Sequence, residues 1–198
     1  MRTRGRRVAV CLALAGCGGA APPPKAPEKC PEQNVTVSLL ASPSVNPAAG
    51  GGARAVVVRV YQLKSDARLV NATFDQVWKE DKVRLGDDLV KEDEVLVYPA
   101  TRADLSFMRA ELVQHVAAVA LFQSPQGRSW VASMDLPPLP EAGKCGVAAC
   151  DPEDDECSAR SVAAPRLAFW LDASKVDDGV EHTDDFPKPG PMKGRRRP

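Results

Sequence analysis

Six cysteines, two histidines and a run of acids are the groups from which this 198-residue chain could build a catalytic or metal site. The densest spacing is Cys145-x4-Cys150-x6-Cys157. A structural zinc site wants a C-x2-C or similar close pair and a fourth ligand. No such pair occurs here, and no histidine lies nearby. Between two of these cysteines stands DPEDDE, residues 151–156. It resembles a calcium loop only in charge, because the sixth position, which needs glycine for the sharp turn, is Glu156. His115 opens the apolar run HVAAVALF and reads as a packed or edge histidine, and His182 falls in a polar C-terminal stretch. No G-x-S-x-G, P-loop or H-E-x-x-H motif is present. The expectation is no catalytic residue, no metal and no cofactor.

The remaining chemistry belongs to Cys17. The chain opens MRTRGRR, with Arg2, Arg4, Arg6 and Arg7 and no acid, followed by the apolar run Val8–Ala15. A spanning helix needs about 20 apolar residues, so this run is too short. A basic start, a short apolar run and small residues before a cut make a signal peptide over residues 1–16. Leu14-Ala15-Gly16-Cys17 resembles the lipobox of bacterial lipoproteins. That resemblance implies cleavage before Cys17, a diacylglycerol on its thiol and an acyl chain on its new amino group. Each buried methylene contributes about 0.8 kcal/mol and a single chain anchors only marginally, whereas three chains hold almost permanently. Gly18, rather than Asp, stands after the cysteine, which in such lipoproteins implies sorting to the outer membrane.

Removing the signal peptide takes four arginines from a chain with 26 basic and 26 acidic residues. The mature protein is therefore mildly acidic, with no basic patch for nucleic acid and no polybasic membrane signal. Cys11 leaves with the signal. Cys30, Cys145, Cys150 and Cys157 remain, an even number in an exported chain, and point to two disulfides with three possible pairings. One bridge inside 145–157 is favoured.

Residues 17–33, rich in Pro, Ala and Gly, read as the lipidated cysteine and a flexible tether. In NVTVSLLA, Val35, Val37 and Leu39 alternate with polar residues and predict a half-buried strand. A Gly/Pro-rich break follows over Ser42–Ala53. Alternation returns in AVVVRVYQL, with Val56, Val58 and Val60 toward the core and Val57, Arg59 and Tyr61 opposite. Thr73 and Gln76 form a capping box for a short helix over 73–80. Strands are expected at 94–98, at 130–136 and around Leu167, Phe169 and Leu171. For LSFMRAELVQHVAAVALFQ, periodicity leaves helix and strand both open. Residues 141–164 read as a cysteine-containing insertion within a domain spanning 34–174, and 175–198 as a disordered tail. Short strands, turn signals and one small helix argue a β-sandwich.

The lipobox, the tether, VVVRVYQLKSDARLVNATFDQVWKED, LGDDLV before Tyr98-Pro99, VAAVALF and a tryptophan strand together resemble the type VI secretion lipoproteins, the TssJ/VasD/SciN family. The resemblance covers residues 35–136 and the lipobox. It implies a mainly β, transthyretin-like sandwich of two sheets with a short helical excursion, so 104–109 and 115–123 are expected as strands. It also implies a lipid-anchored outer-membrane protein, facing the periplasm, that grips a TssM-like inner-membrane protein and anchors a trans-envelope complex. The family's partner contact maps onto the loop between the first two strands: Ser42, Pro43, Ser44, Val45, Asn46 and Pro47. Neither nucleic acid nor a small-molecule substrate is expected. The alternative is a lipid-anchored sandwich that binds a small ligand or glycan, for which exposed aromatics around a cleft would speak. The 141–164 insertion and the long tail depart from the family pattern.

Overall fold

Alternating valines and leucines set the architecture. In β1 (Asn34–Ala41), Val35, Val37, Leu39 and Ala41 are fully buried, and in β2 (Val56–Leu63) so are Val58 and Val60. A strand that buries every second residue must press that face against another layer. The computed structural model, which describes residues 33–139 and 164–186, shows that layer to be a second sheet. One sheet runs β4 (Arg102–Met108), β1, β7 (Arg166–Asp172), β8 (Lys175–Asp178). The other runs β3 (Leu89–Val97), β2, β5 (His115–Ala120), β6 (Val131–Asp135). Pairing is antiparallel except between β1 and β7, which run parallel with Leu39 opposite Phe169. Burying a Val, Leu or Phe side chain stabilises by about 1.5–3 kcal/mol, and such residues dominate the core.

The expected mainly β sandwich is therefore found, and both parts of the ambiguous segment are strands. Leu121 and Phe122, expected as strand, lie beyond the end of β5. β3 starts at Leu89, five residues before the expected Glu94. Its first half, LVKEDE, carries charges because β3 is a sheet edge, where charge discourages pairing with other chains.

The helical excursion has two parts. α1 (Ala67–Val70) was not foreseen, and α2 (Phe74–Leu85) runs past the expected end at residue 80. Its capping box is present: Gln76 N–H donates to Thr73 Oγ1 and Thr73 N–H to Gln76 Oε1. At Glu80 the backbone leaves the helical region (φ −143°, ψ 35°). The carbonyls of Val77 and Trp78 accept instead from Arg59 Nη1, at 3.1 and 3.3 Å. The same guanidinium group reaches Asp81 Oδ2 at 3.1 Å and Glu94 Oε1 at 2.8 Å, and Tyr61 Oη donates to Asp81 Oδ2 at 2.8 Å. Tyr61, expected on a solvent face, is thus fully buried beneath α2. Burial first, then the bond to Asp81, push its phenol well above the ordinary range.

The expectation of a disordered tail from residue 175 fails for its first twelve residues. Lys175–Asp178 pair with β7, and Gly179 N–H donates to Ala168 O at 2.8 Å. The chain then folds over the outer face of the first sheet. His182 stacks on Trp170 with ring centroids 4.0 Å apart, and Arg102 Nη1 donates to the Phe186 carbonyl at 3.3 Å. Only glycine allows this approach. A Cβ on Gly179 would sit 2.8 Å from the Phe169 carbonyl carbon and 2.9 Å from Trp170 N.

Candidate functional site

The stretch between β1 and β2 divides into a buried base and an exposed tip. Ser42, Val45 and Asn46 are buried, while Pro43, Ser44, Pro47 and Ala49–Gly52 are exposed. Asn46 is the pivot. Its φ of +49° lies in the left-handed region, which asparagine tolerates better than most residues. Its Nδ2 donates to Ala55 O at 2.9 Å, and its Oδ1 accepts from Gln123 N–H at 2.9 Å. Its own N–H donates to Ala173 O at 2.7 Å. One side chain and one peptide group thereby join three loops at this end of the sandwich. Arg54 N–H closes the base on Val45 O at 3.1 Å, and Ala100 N–H reaches Ser42 O at 3.2 Å.

A hydroxyl chain completes the base. Ser42 Oγ and Ser44 Oγ lie 3.0 Å apart, and Ser44 Oγ donates to Asp172 Oδ1 at 2.9 Å. The Ser42 hydroxyl first, then Ser44, the Ala173 backbone and the charge of His182, hold the Asp172 carboxyl below its usual range against the opposing pull of burial.

Of the six residues expected to meet a partner, then, Pro43, Ser44 and Pro47 are available at the surface. Ser42, Val45 and Asn46 lie in the same loop but are buried and hold it in place. The distinction was hidden because burial of a loop residue depends on the turns from β3–β4, β5–β6 and β7–β8 that close over it. Tyr98, half exposed in the β3–β4 turn on the same end, is a surface aromatic that the alternation argument passed over.

The opposite end of β1 is clamped by Arg109. Its Nη1 donates to Gln33 Oε1 at 2.7 Å and to Pro137 O at 2.6 Å, and its Nε to Val113 O at 2.7 Å. Burial lowers its pKa. One guanidinium group thus ties Gln33, at the start of the described residues, to Pro137, which follows β6. Cys17, Cys30, Cys145, Cys150 and Cys157 lie outside the described residues.

Neither histidine is set against a nucleophile. His115 Nδ1 lies 2.7 Å from Asp135 Oδ1, and His182 Nδ1 lies 3.4 Å from Asp185 Oδ2. Among the described residues no hydroxyl is bonded to either ring, and no cluster of potential metal ligands occurs. No described helix is long and apolar enough to cross a membrane.

Residues 33–151 match the family described as type VI secretion lipoprotein, which includes SciN, VasD, EvfM and TssJ. The chain belongs to the type VI secretion lipoprotein family. Solved structures agree on the fold. Serratia marcescens Lip, a membrane-bound component of the type VI secretion system, is 23% identical with a TM-score of 0.61, over 73% of this chain and 96% of Lip. The type VI lipoprotein TssJ1 from Pseudomonas aeruginosa is 22% identical with a TM-score of 0.57, over 74% of this chain and 95% of TssJ1. The structure of the TssM C-terminal domain (869–1107) from EAEC contains a similar chain, 15% identical with a TM-score of 0.53, over 74% of this chain and 97% of that one. No curated protein matches. Type VI secretion lipoproteins are structural components of that machine.

Proposed function

We propose that this lipoprotein is held in the outer membrane by acyl chains on Cys17, faces the periplasm, and grips the periplasmic part of a TssM-like inner-membrane protein, anchoring the trans-envelope complex. The observation that supports this most is the loop itself: a base fixed by Asn46 and the Ser42–Ser44–Asp172 chain, carrying an exposed tip away from the sheets. A rigid platform with an exposed loop is the usual geometry of recognition. Cys30, Cys145, Cys150 and Cys157 form two disulfides in this reading, so the purified mature protein carries no free thiol.

Two variants test the proposal. Cys17→Ser leaves the protein soluble in the periplasm, and sedimentation with outer membranes would refute the anchor. Joining Pro47 directly to Ala53 removes the tip without touching a buried residue. It is expected to weaken binding of the periplasmic part of TssM at least tenfold, about 1.4 kcal/mol. Unchanged affinity in a folded variant would move the interface elsewhere. The small-ligand reading has less support. An open crevice of about 430 Å³ beside the helices is lined by Ala67, Arg68, Asn71 and Arg84, with no aromatic among them.

A further inference from the structure

Three arginines gather around the short helix α1. Arg68 Nη1 donates to Leu85 O at 3.2 Å, Arg84 Nη2 to Asn71 O at 3.2 Å, and Arg128 to Ala72 O and Leu69 O at 3.2 and 3.4 Å. Among the described residues only Arg68 meets a carboxylate, Asp88 Oδ2 at 3.2 Å. Arg84 makes no second hydrogen bond there, and its Nε is enclosed without an acceptor. A buried donor left unpaired is a cost that the fold itself does not return. Gly86 leaves the space into which the Arg68 guanidinium group extends. Arg68 and Arg84, with Ala67 and Asn71, line the open crevice of about 430 Å³. A planar guanidinium fork matches the oxygens of a carboxylate or phosphate, so the crevice suits an oxyanion.

Two further observations narrow the choice. Bare aliphatic side chains flank the arginines. Val70 lies three positions after Ala67 on the same helix face, and Val83, which is 79% exposed, directly precedes Arg84. Cations beside exposed apolar groups suit a lipid headgroup with acyl chains beneath it. The crevice also lies at the end of the sandwich where the chain enters. Gln33 O accepts from Arg109 N–H at 2.8 Å, and Arg109 Nε donates to Val113 O at 2.7 Å. Gln114 N–H then donates to Leu63 O, and Lys64 N–H to Asp88 O beside Arg68, both at 2.9 Å. Residues 18–32, which join Cys17 to Gln33, reach at most about 50 Å. Resting on the acyl anchor proposed above, we infer that the crevice between α1 and α2 binds the phosphate group of a membrane phospholipid through Arg68 and Arg84, with Val70 and Val83 against the headgroup–acyl boundary. The contact orients a domain that the acyl chains already hold.

The mature chain carrying Cys17→Ser has no acyl chain and isolates this contact. It should co-sediment with phosphatidylglycerol vesicles at about 0.01 M salt, where the screening length is about 30 Å, and be released near 1 M, where it is about 3 Å. Arg84→Gln should lower this partition about fivefold. Val83→Ser, at an exposed position that leaves folding untouched, should lower it about twofold. Lys175→Gln, on β8, controls for charge alone and should change it far less than Arg84→Gln. No vesicle binding by the folded Cys17→Ser chain, or equal losses for Arg84→Gln and Lys175→Gln, overturns the inference. So does binding of inorganic phosphate without binding of vesicles, which would make the crevice a site for the free ion. The anchor is judged separately: Cys17→Ser protein that stays with outer membranes in about 1 M salt counts against acylation, whereas the vesicle assay involves no acyl chain on the protein.

Discussion

Replacing Asn46 by alanine tests the idea that one residue fixes the loop between β1 and β2. The side chain makes two hydrogen bonds, to Ala55 O and from Gln123 N–H, both at 2.9 Å and both partly buried. A typical bond contributes about 1 kcal/mol net, and more where its partner is left buried and unpaired. Alanine at φ +49° adds a backbone cost of about 1 kcal/mol, which asparagine partly relieves. Asn46→Ala should therefore destabilise by about 3 kcal/mol, a large part of the 5–15 kcal/mol that holds a domain together. Asn46→Gly, free of the backbone cost, should lose about 2 kcal/mol. Urea unfolding followed by tryptophan fluorescence measures both. A loss below about 0.5 kcal/mol for the alanine variant would show that the bonds do not hold the loop. Equal losses for Ala and Gly would show that the left-handed backbone carries no cost.

Four further outcomes rest on the same structure. Tyr61→Phe removes the bond to Asp81 and should cost about 2 kcal/mol; a neutral result would mean that α2 is held by packing alone. In the wild type, the stability owed to neutral Tyr61 is full below the ordinary tyrosine value of about 10 and is lost as pH rises through its raised folded value, so ultraviolet titration should show it ionising only with unfolding. Asp172 behaves in the opposite sense: its contribution is present above the ordinary carboxylate value of about 3.9 and lost as pH falls through the depressed folded value. Protection of the Val45 and Asn46 amides, measured against their intrinsic exchange rates, should therefore fall in acid, and an unaltered acid profile in Asp172→Asn would remove Asp172 from the loop's support. Gly179→Ala forces a Cβ against the β7 backbone and should cost about 2 kcal/mol, with Trp170 fluorescence reporting release of the segment above it; an unshifted melting temperature would contradict the close packing.

The parts of the fold that were legible are those where a short pattern and its cause coincide. β1 and β2 follow from valine and leucine alternation, and the start of α2 from Thr73 and Gln76, because both rules act within a few residues. What was not legible depends on distant chain. Tyr61 has the period of an exposed residue and is covered by α2, twenty positions away in its Asp81 contact. The kink at Glu80 is sustained by Arg59, so the length of α2 could not be read from α2 alone. Lys175–Phe186 is polar and looks like tail, since its place is fixed by the absence of a side chain at Gly179 and by one stacked ring. The break between β1 and β2 was legible from its Gly/Pro composition, but which of its residues face outward was decided by three other loops.

The two ends of β1 have a mechanical meaning. The chain enters the described domain at Gln33, and the loop leaves at Ser42, so a pull between them runs along a single strand of 8 residues, about 26 Å long. β1 lies inside its sheet, bonded to β4 on one edge and to β7 on the other. Load applied along its axis shears both rows of hydrogen bonds at once, whereas a load across an edge strand would open them one at a time. The rest of the sandwich stands beside the line of force rather than in it. In the anchoring role proposed above, tension between membrane and machine would be carried by one covalent strand, with the remaining layers acting as a grip that keeps it from sliding.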